Sequence, residues 1–247
     1  MDTMERRTYA RAAGIVLLIS VLSVLVLHLG PSFIAGQRVT GTSDVAAIAA
    51  FYAHPSMLPF WWQGGVSVLG INLFAVLFRR YLLTFPPSPT IAAGADFAMV
   101  LAAAAAPLYL LAAGLESAMV QLVSAGDAGR GALLGVFAAW DWAYNSFAYF
   151  LEAGYMAAWA IVAWRSGALP RWIAAIGGLT AVGHLFNSQV LMSHLSDNLT
   201  LIPTAFFLVW FISTGVYLVR GGKARALREA VDSPHAAIDP QPLLAGA

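Results

Sequence analysis

The sequence predicts an all-α protein: a polytopic membrane helical bundle of six transmembrane helices with both termini cytoplasmic (N-in/C-in). Three observations carry this expectation. Of 247 residues, 60% are hydrophobic and only 10% charged, with a mean hydropathy of +0.75. A soluble domain carries roughly 25% charged and about 45 to 50% apolar residues. Too few charged side chains exist to cover a water-exposed surface, which sets aside a soluble enzyme, a nucleic-acid binder and a disordered chain. Second, apolar stretches recur at the length a bilayer requires, roughly 20 residues. Third, the basic residues gather in alternate loops.

The apolar stretches run at about 12–29, 58–78, 96–123, 133–163, 172–193 and 199–219. The first follows Arg6, Arg7 and Arg11, as a signal peptide would, but it exceeds the usual apolar run of about 7 to 15 residues and no small-x-small cleavage site follows. It reads as a retained helix. With six crossings, Arg6, Arg7, Arg11, Arg79, Arg80, Arg165, Arg171, Arg220, Lys223, Arg225 and Arg228 fall on one side, and only Arg38 and Arg130 on the other. The positive-inside rule makes the basic side cytoplasmic, and a missing or extra crossing would scramble the separation. The expected destination is the cell membrane, crossed several times.

Between crossings one and two, Ser43-Asp44 precedes a short apolar segment that ends before His54-Pro55. This reads as a capped extracytoplasmic surface helix at about 44–54. Residues 1–220 thus form the transmembrane domain. Residues 221–247 begin basic and turn rich in Pro and Ala, the composition of a disordered cytoplasmic tail.

The candidate site rests on polar residues inside apolar runs. At roughly 100° per residue, Asp141, Tyr144, Asn145, Ala148, Glu152, Tyr155 and Trp159 share one face of the fourth crossing. An ionisable group at the bilayer centre costs about 2.5 to 3.5 kcal/mol, so this stripe is expected to turn inward, toward crossings three and five. There Glu116, with Tyr109 on its face and Pro107 interrupting the helix, and His184, Asn187 and Thr180 wait; Gln63 and Ser67 lie on crossing two. Asp141, Asn145, Glu116, Asn187 and Gln63 fall in the outer half, and Glu152 and His184 nearer the middle. Together they suggest a polar cavity opening outward, walled by Tyr144, Tyr149, Tyr155, Phe186 and Trp210. No Lys or Arg opposes burial of Glu152, which is therefore expected to be protonated at pH 7.

Other chemistry is sparse. His28, His54, His194 and Asp197 lie near the outer boundary but in no metal-ligand spacing, so neither metal nor cofactor is expected. Zero Cys removes disulfides, thiolate metal sites and a cysteine nucleophile. A net charge of +1 gives no reason to expect nucleic acid as a partner.

Four further features, Leu77-Phe78-Arg79-Arg80-Tyr81, the loop Trp164-Arg165-Ser166-Gly167-Ala168-Leu169-Pro170-Arg171-Trp172, Gly177-Gly178, and Thr214-Gly215-Val216-Tyr217-Leu218-Val219-Arg220, carry a resemblance. In them the chain resembles a domain-of-unknown-function family of small six-helix bacterial membrane proteins common in actinobacteria. The resemblance implies the six-helix layout and assigns no catalytic residue. The leading functional reading is a non-enzymatic membrane protein that binds or translocates a lipid or small hydrophobic molecule. The alternatives are an intramembrane acid-catalysing enzyme acting on a lipid or isoprenoid, and an accessory subunit paired with other membrane subunits.

Overall fold

A computed structural model describes residues 3–26, 43–55, 60–85, 88–188 and 201–222. Among these residues every regular element is helical. In chain order they are α1 (Thr3–Val24), α2 (Val45–Tyr52), α3 (Phe60–Leu82), α4 (Pro89–Ser124), α5 (Asp127–Asp141), a π-helical segment (Trp142–Ala148), α6 (Tyr149–Ser166), α7 (Arg171–Asn187) and α8 (Leu201–Val219). The segments Met4–Val24, Pro89–Ser124, Asp127–Ser166 and Ile202–Val219 are long and apolar enough to cross a bilayer.

The other two expected crossings are helices of a different quality. The described part of α7 has 17 residues, about 26 Å at 1.5 Å per residue, slightly short of the ~30 Å hydrocarbon layer. In α3, Gln63, Ser67, Asn72, Arg79 and Arg80 dilute the apolar run. In contrast, α4 has 36 residues and the continuous α5–π–α6 rod has 40, so both exceed the hydrocarbon thickness. They join through Ala125-Gly126, with Gly126 at φ 65°, a left-handed value that glycine adopts without steric cost.

From α3 onward successive helices pack side by side, and α1 closes the series by contacting both α3 and α8. Two features allow close approach. Ala95, Ala98, Ala102, Ala105 and Ala112 form the buried stripe of α4, the small-residue surface on which membrane helices pack. At the α1–α8 crossing, Gly14 and Gly215 face each other so closely that a Cβ on Gly14 would lie 2.7 Å from the Gly215 carbonyl oxygen.

Aromatic rings fill the centre. Phe74 of α3 meets Trp159 of α6 edge-on at 5.1 Å, and Trp159 stacks on Trp210 of α8 at 6.0 Å with the planes 2° apart. The outer surface is inverted relative to a soluble protein: Leu69, Leu22, Val100, Ile19, Phe97 and Ile161 are all exposed. Isolated exposed apolar residues are ordinary, but a surface built from them marks an apolar environment.

At the end bearing the clustered arginines, Arg79 pairs with Asp96 of α4. Arg6 donates from Nε to Thr84 Oγ1 at 3.0 Å and lies 4.6 Å from the centre of the Phe85 ring. Tyr81 Oη donates to the Ala168 carbonyl at 2.9 Å. The α6–α7 connection is a glycine C-cap: Gly167 has φ 63°, and the Ala168 N–H reaches back to the Ala163 carbonyl at 3.2 Å, closing the end of α6 as left-handed caps do.

At the other end, Asp44 caps α2 by accepting from the Ala47 N–H at 2.7 Å. The apolar face of this helix packs on protein. Ile48, Phe51 and Tyr52 are buried against Met119, Leu133 and Phe137, so α2 covers the junction of α4 and α5.

Candidate functional site

Glu152 lies near the start of α6, 3% exposed. Tyr109 Oη, from α4, donates to its Oε2 at 2.7 Å, and Tyr155 Oη, one turn along α6, donates to its Oε1 at 2.9 Å. His184 Nδ1, from α7, lies 3.3 Å from Oε2, with the imidazole itself 4% exposed. Three helices therefore converge on one carboxyl group, and Glu152 turns toward α4 and α7, away from the apolar exterior, where a carboxyl group would be costly. The imidazole is held between rings: Tyr149 at 5.0 Å and Phe207 of α8 at 5.6 Å, centre to centre. Phe207 went unrecognised in the sequence, where nothing distinguishes it from its apolar neighbours.

A second carboxyl group has its own partners. Glu116 is buried and accepts from Trp140 Nε1 at 2.9 Å. Trp140 stacks on Tyr144 at 5.6 Å, and Tyr144 meets Tyr109 at 5.8 Å and Tyr149 at 5.3 Å. Tyr144 thus bridges the Glu116 and Glu152 groups through aromatic contacts. Tyr52 of α2 lies close enough to feel Glu116: burial, and secondarily the Glu116 charge, push the Tyr52 hydroxyl well above its ordinary pKa.

The face expected to be shared by Asp141 and Glu152 is interrupted. At α-helical pitch, the eleven residues from Asp141 to Glu152 accumulate a net rotation of about 20°. The π segment Trp142–Ala148 lies between them, and i→i+5 bonding takes more residues per turn, so the two side chains leave that common stripe. Asp141 instead accepts from Asn145 Nδ2 at 2.6 Å. Ser and Asn side chains compete for backbone hydrogen bonds in helices, and Asn145-Ser146 in this segment is the one local signal of irregularity.

The remaining expected residues divide. Tyr155 and Trp210 are fully buried, Trp210 within the central aromatic core rather than around the carboxylates. Phe186 is 51% exposed and does not wall the site; two residues beyond His184, it lies about 200° round the helix. Asn187 is half-buried at the last position of α7. Gln63 falls within α3, but its side chain lies outside the described residues, as do His28, His194 and Asp197. Among the described residues no group of three or more His, Asp or Glu side chains gathers to hold a metal. The expectation of a protonated Glu152 considered only Lys and Arg; the structure sets the Tyr109 and Tyr155 hydroxyls and the His184 imidazole against its two oxygens.

Fold and site together describe an all-helical bundle with an apolar exterior and a buried acid–imidazole centre. No family model matches the chain, and no curated protein or solved structure is significantly similar to it.

Proposed function

We propose that this is a multi-pass protein of the bacterial plasma membrane, with six crossings and both termini cytoplasmic, that binds or translocates a lipid or small hydrophobic molecule around the Glu152–His184 pair. The observation that carries this reading is the burial of a carboxyl and an imidazole 3.3 Å apart inside a body with an apolar exterior. Removing such groups from water costs several kcal/mol, a cost that bundle packing alone does not require. The rings of Tyr149 and Phe207 beside the imidazole supply the apolar surface a hydrophobic ligand needs. The segregation of arginines supports the six-crossing layout.

The function is tested by purifying the full chain in mild detergent and identifying co-purifying lipids by mass spectrometry. One lipid class is expected at near-stoichiometric amount, enriched over the membrane extract. A bound-lipid profile identical to that extract would sink the proposal. For the topology, reporter fusions at Gly126 and at the C-terminus are expected on opposite sides of the membrane. Finding both on one side would overturn it.

A further inference from the structure

We propose that the acting atom of this site is His184 Nε2, which accepts the hydroxyl hydrogen of a lipid-soluble alcohol, and that Glu152 is the positioning residue that orients it. The proposal rests on the lipid-binding reading above and deepens it by naming the ligand chemistry.

Both Glu152 oxygens are acceptors in use. Tyr155 donates to Oε1, while Tyr109 donates to Oε2, beside which His184 Nδ1 lies at 3.3 Å. A carboxylate offers only acceptors, so the imidazole nitrogen facing it is the one that carries a proton. A carboxylate behind a histidine fixes its tautomer and ring orientation in this way and leaves the other nitrogen to act. In the neutral ring that other nitrogen, Nε2, presents a lone pair. It is buried and has no hydrogen-bond partner among the described residues; Nδ1, although near Oε2, also falls short of full hydrogen-bond geometry. The contact with Glu152 therefore has room to tighten when a ligand engages Nε2, as polar contacts at unliganded sites do.

An unpaired buried acceptor is unfavourable, and a ligand that satisfies it must donate a hydrogen. Tyr149 and Phe207 flank the same ring at 5.0 and 5.6 Å, which asks for an apolar body. An alcohol on a hydrocarbon chain meets both demands. A ketone or ester has the body without the donor, and a divalent metal would need further donors that do not gather among the described residues.

The test uses the full chain with 15N-labelled histidine in nanodiscs of phosphatidylethanolamine and phosphatidylglycerol, the Nε2 resonance being assigned by its loss in His184→Gln. In the free protein Nε2 is expected to be unprotonated. 1-Dodecanol is expected to shift its resonance, whereas 2-dodecanone and dodecane are not, and His184→Gln is expected to bind dodecanol about tenfold more weakly. In Glu152→Gln the preference for alcohol over ketone is expected to vanish while the protein stays folded; a purely structural glutamate would leave that preference unchanged. An Nε2–H tautomer in the free protein, or equal shifts from ketone and alcohol, would overturn the proposal. If all three probes displace co-purified lipid equally without moving the His184 resonance, lipid binding stands and this assignment falls. If none displaces lipid or moves the resonance, both fall.

Discussion

Glu152→Leu is expected to destabilise the protein by about 3 to 5 kcal/mol, the usual range when one member of a buried pair is removed. The substitution strands three groups at once: the Tyr109 and Tyr155 hydroxyls and the His184 imidazole, all directed at the same carboxyl. Thermal unfolding in detergent should show a clear drop in midpoint. Glu152→Gln is expected to be far milder in stability, because size is kept and one acceptor oxygen remains. Its NH2 group cannot accept, so one tyrosine must turn its hydroxyl round. The Gln variant should unfold within a few degrees of the wild type yet lose most of its co-purified lipid. Full retention of lipid by that variant would remove the carboxylate from the site's function, and an unchanged midpoint for the Leu variant would contradict the described network.

Gly14→Leu is expected to open the bundle between α1 and α8. A Cβ at position 14 would lie 2.7 Å from both the Gly215 carbonyl oxygen and the Val219 backbone nitrogen. These are backbone atoms of a neighbouring helix, which cannot rotate aside, so the helices must separate. Overpacking of this kind costs about 1 to 3 kcal/mol and sometimes more. The reverse substitution site is a built-in control: a Cβ on Gly215 meets first the Leu18 side chain, at 2.7 Å, which has other rotamers to adopt. Gly215→Ala should therefore lower the unfolding midpoint much less than Gly14→Leu. Equal midpoints for the two variants would show that α1 does not pack through Gly14.

Much of the fold is legible residue by residue. The residues 164–171 separate two apolar runs in the sequence, and α6 ends at Ser166 and α7 begins at Arg171 with Gly167 in the left-handed cap between them. Asp44 before an apolar octet predicts a capped helix, and α2 begins at Val45. What was misjudged is where side chains point once helices have neighbours. Phe186 is exposed rather than in a wall around His184, and Ile48, Phe51 and Tyr52 of α2 are covered by protein.

Hydropathy and capping chemistry act over a few residues, so the sequence by itself determined the all-helical class, the positions of the apolar helices and several of their ends. The choice of partners belongs to the tertiary structure. Glu152 meets Tyr109 across 43 residues of chain, and Glu116 meets Trp140 across 24. Those meetings depend on the rotational phase of each helix and on how closely small residues let neighbours approach. The π segment at Trp142–Ala148 resets that phase in the middle of the Asp127–Ser166 rod, and Gly14 against Gly215 fixes how the helix series closes. The Gly14–Gly215 contact is encoded in neither segment alone, because it is a property of two surfaces brought together.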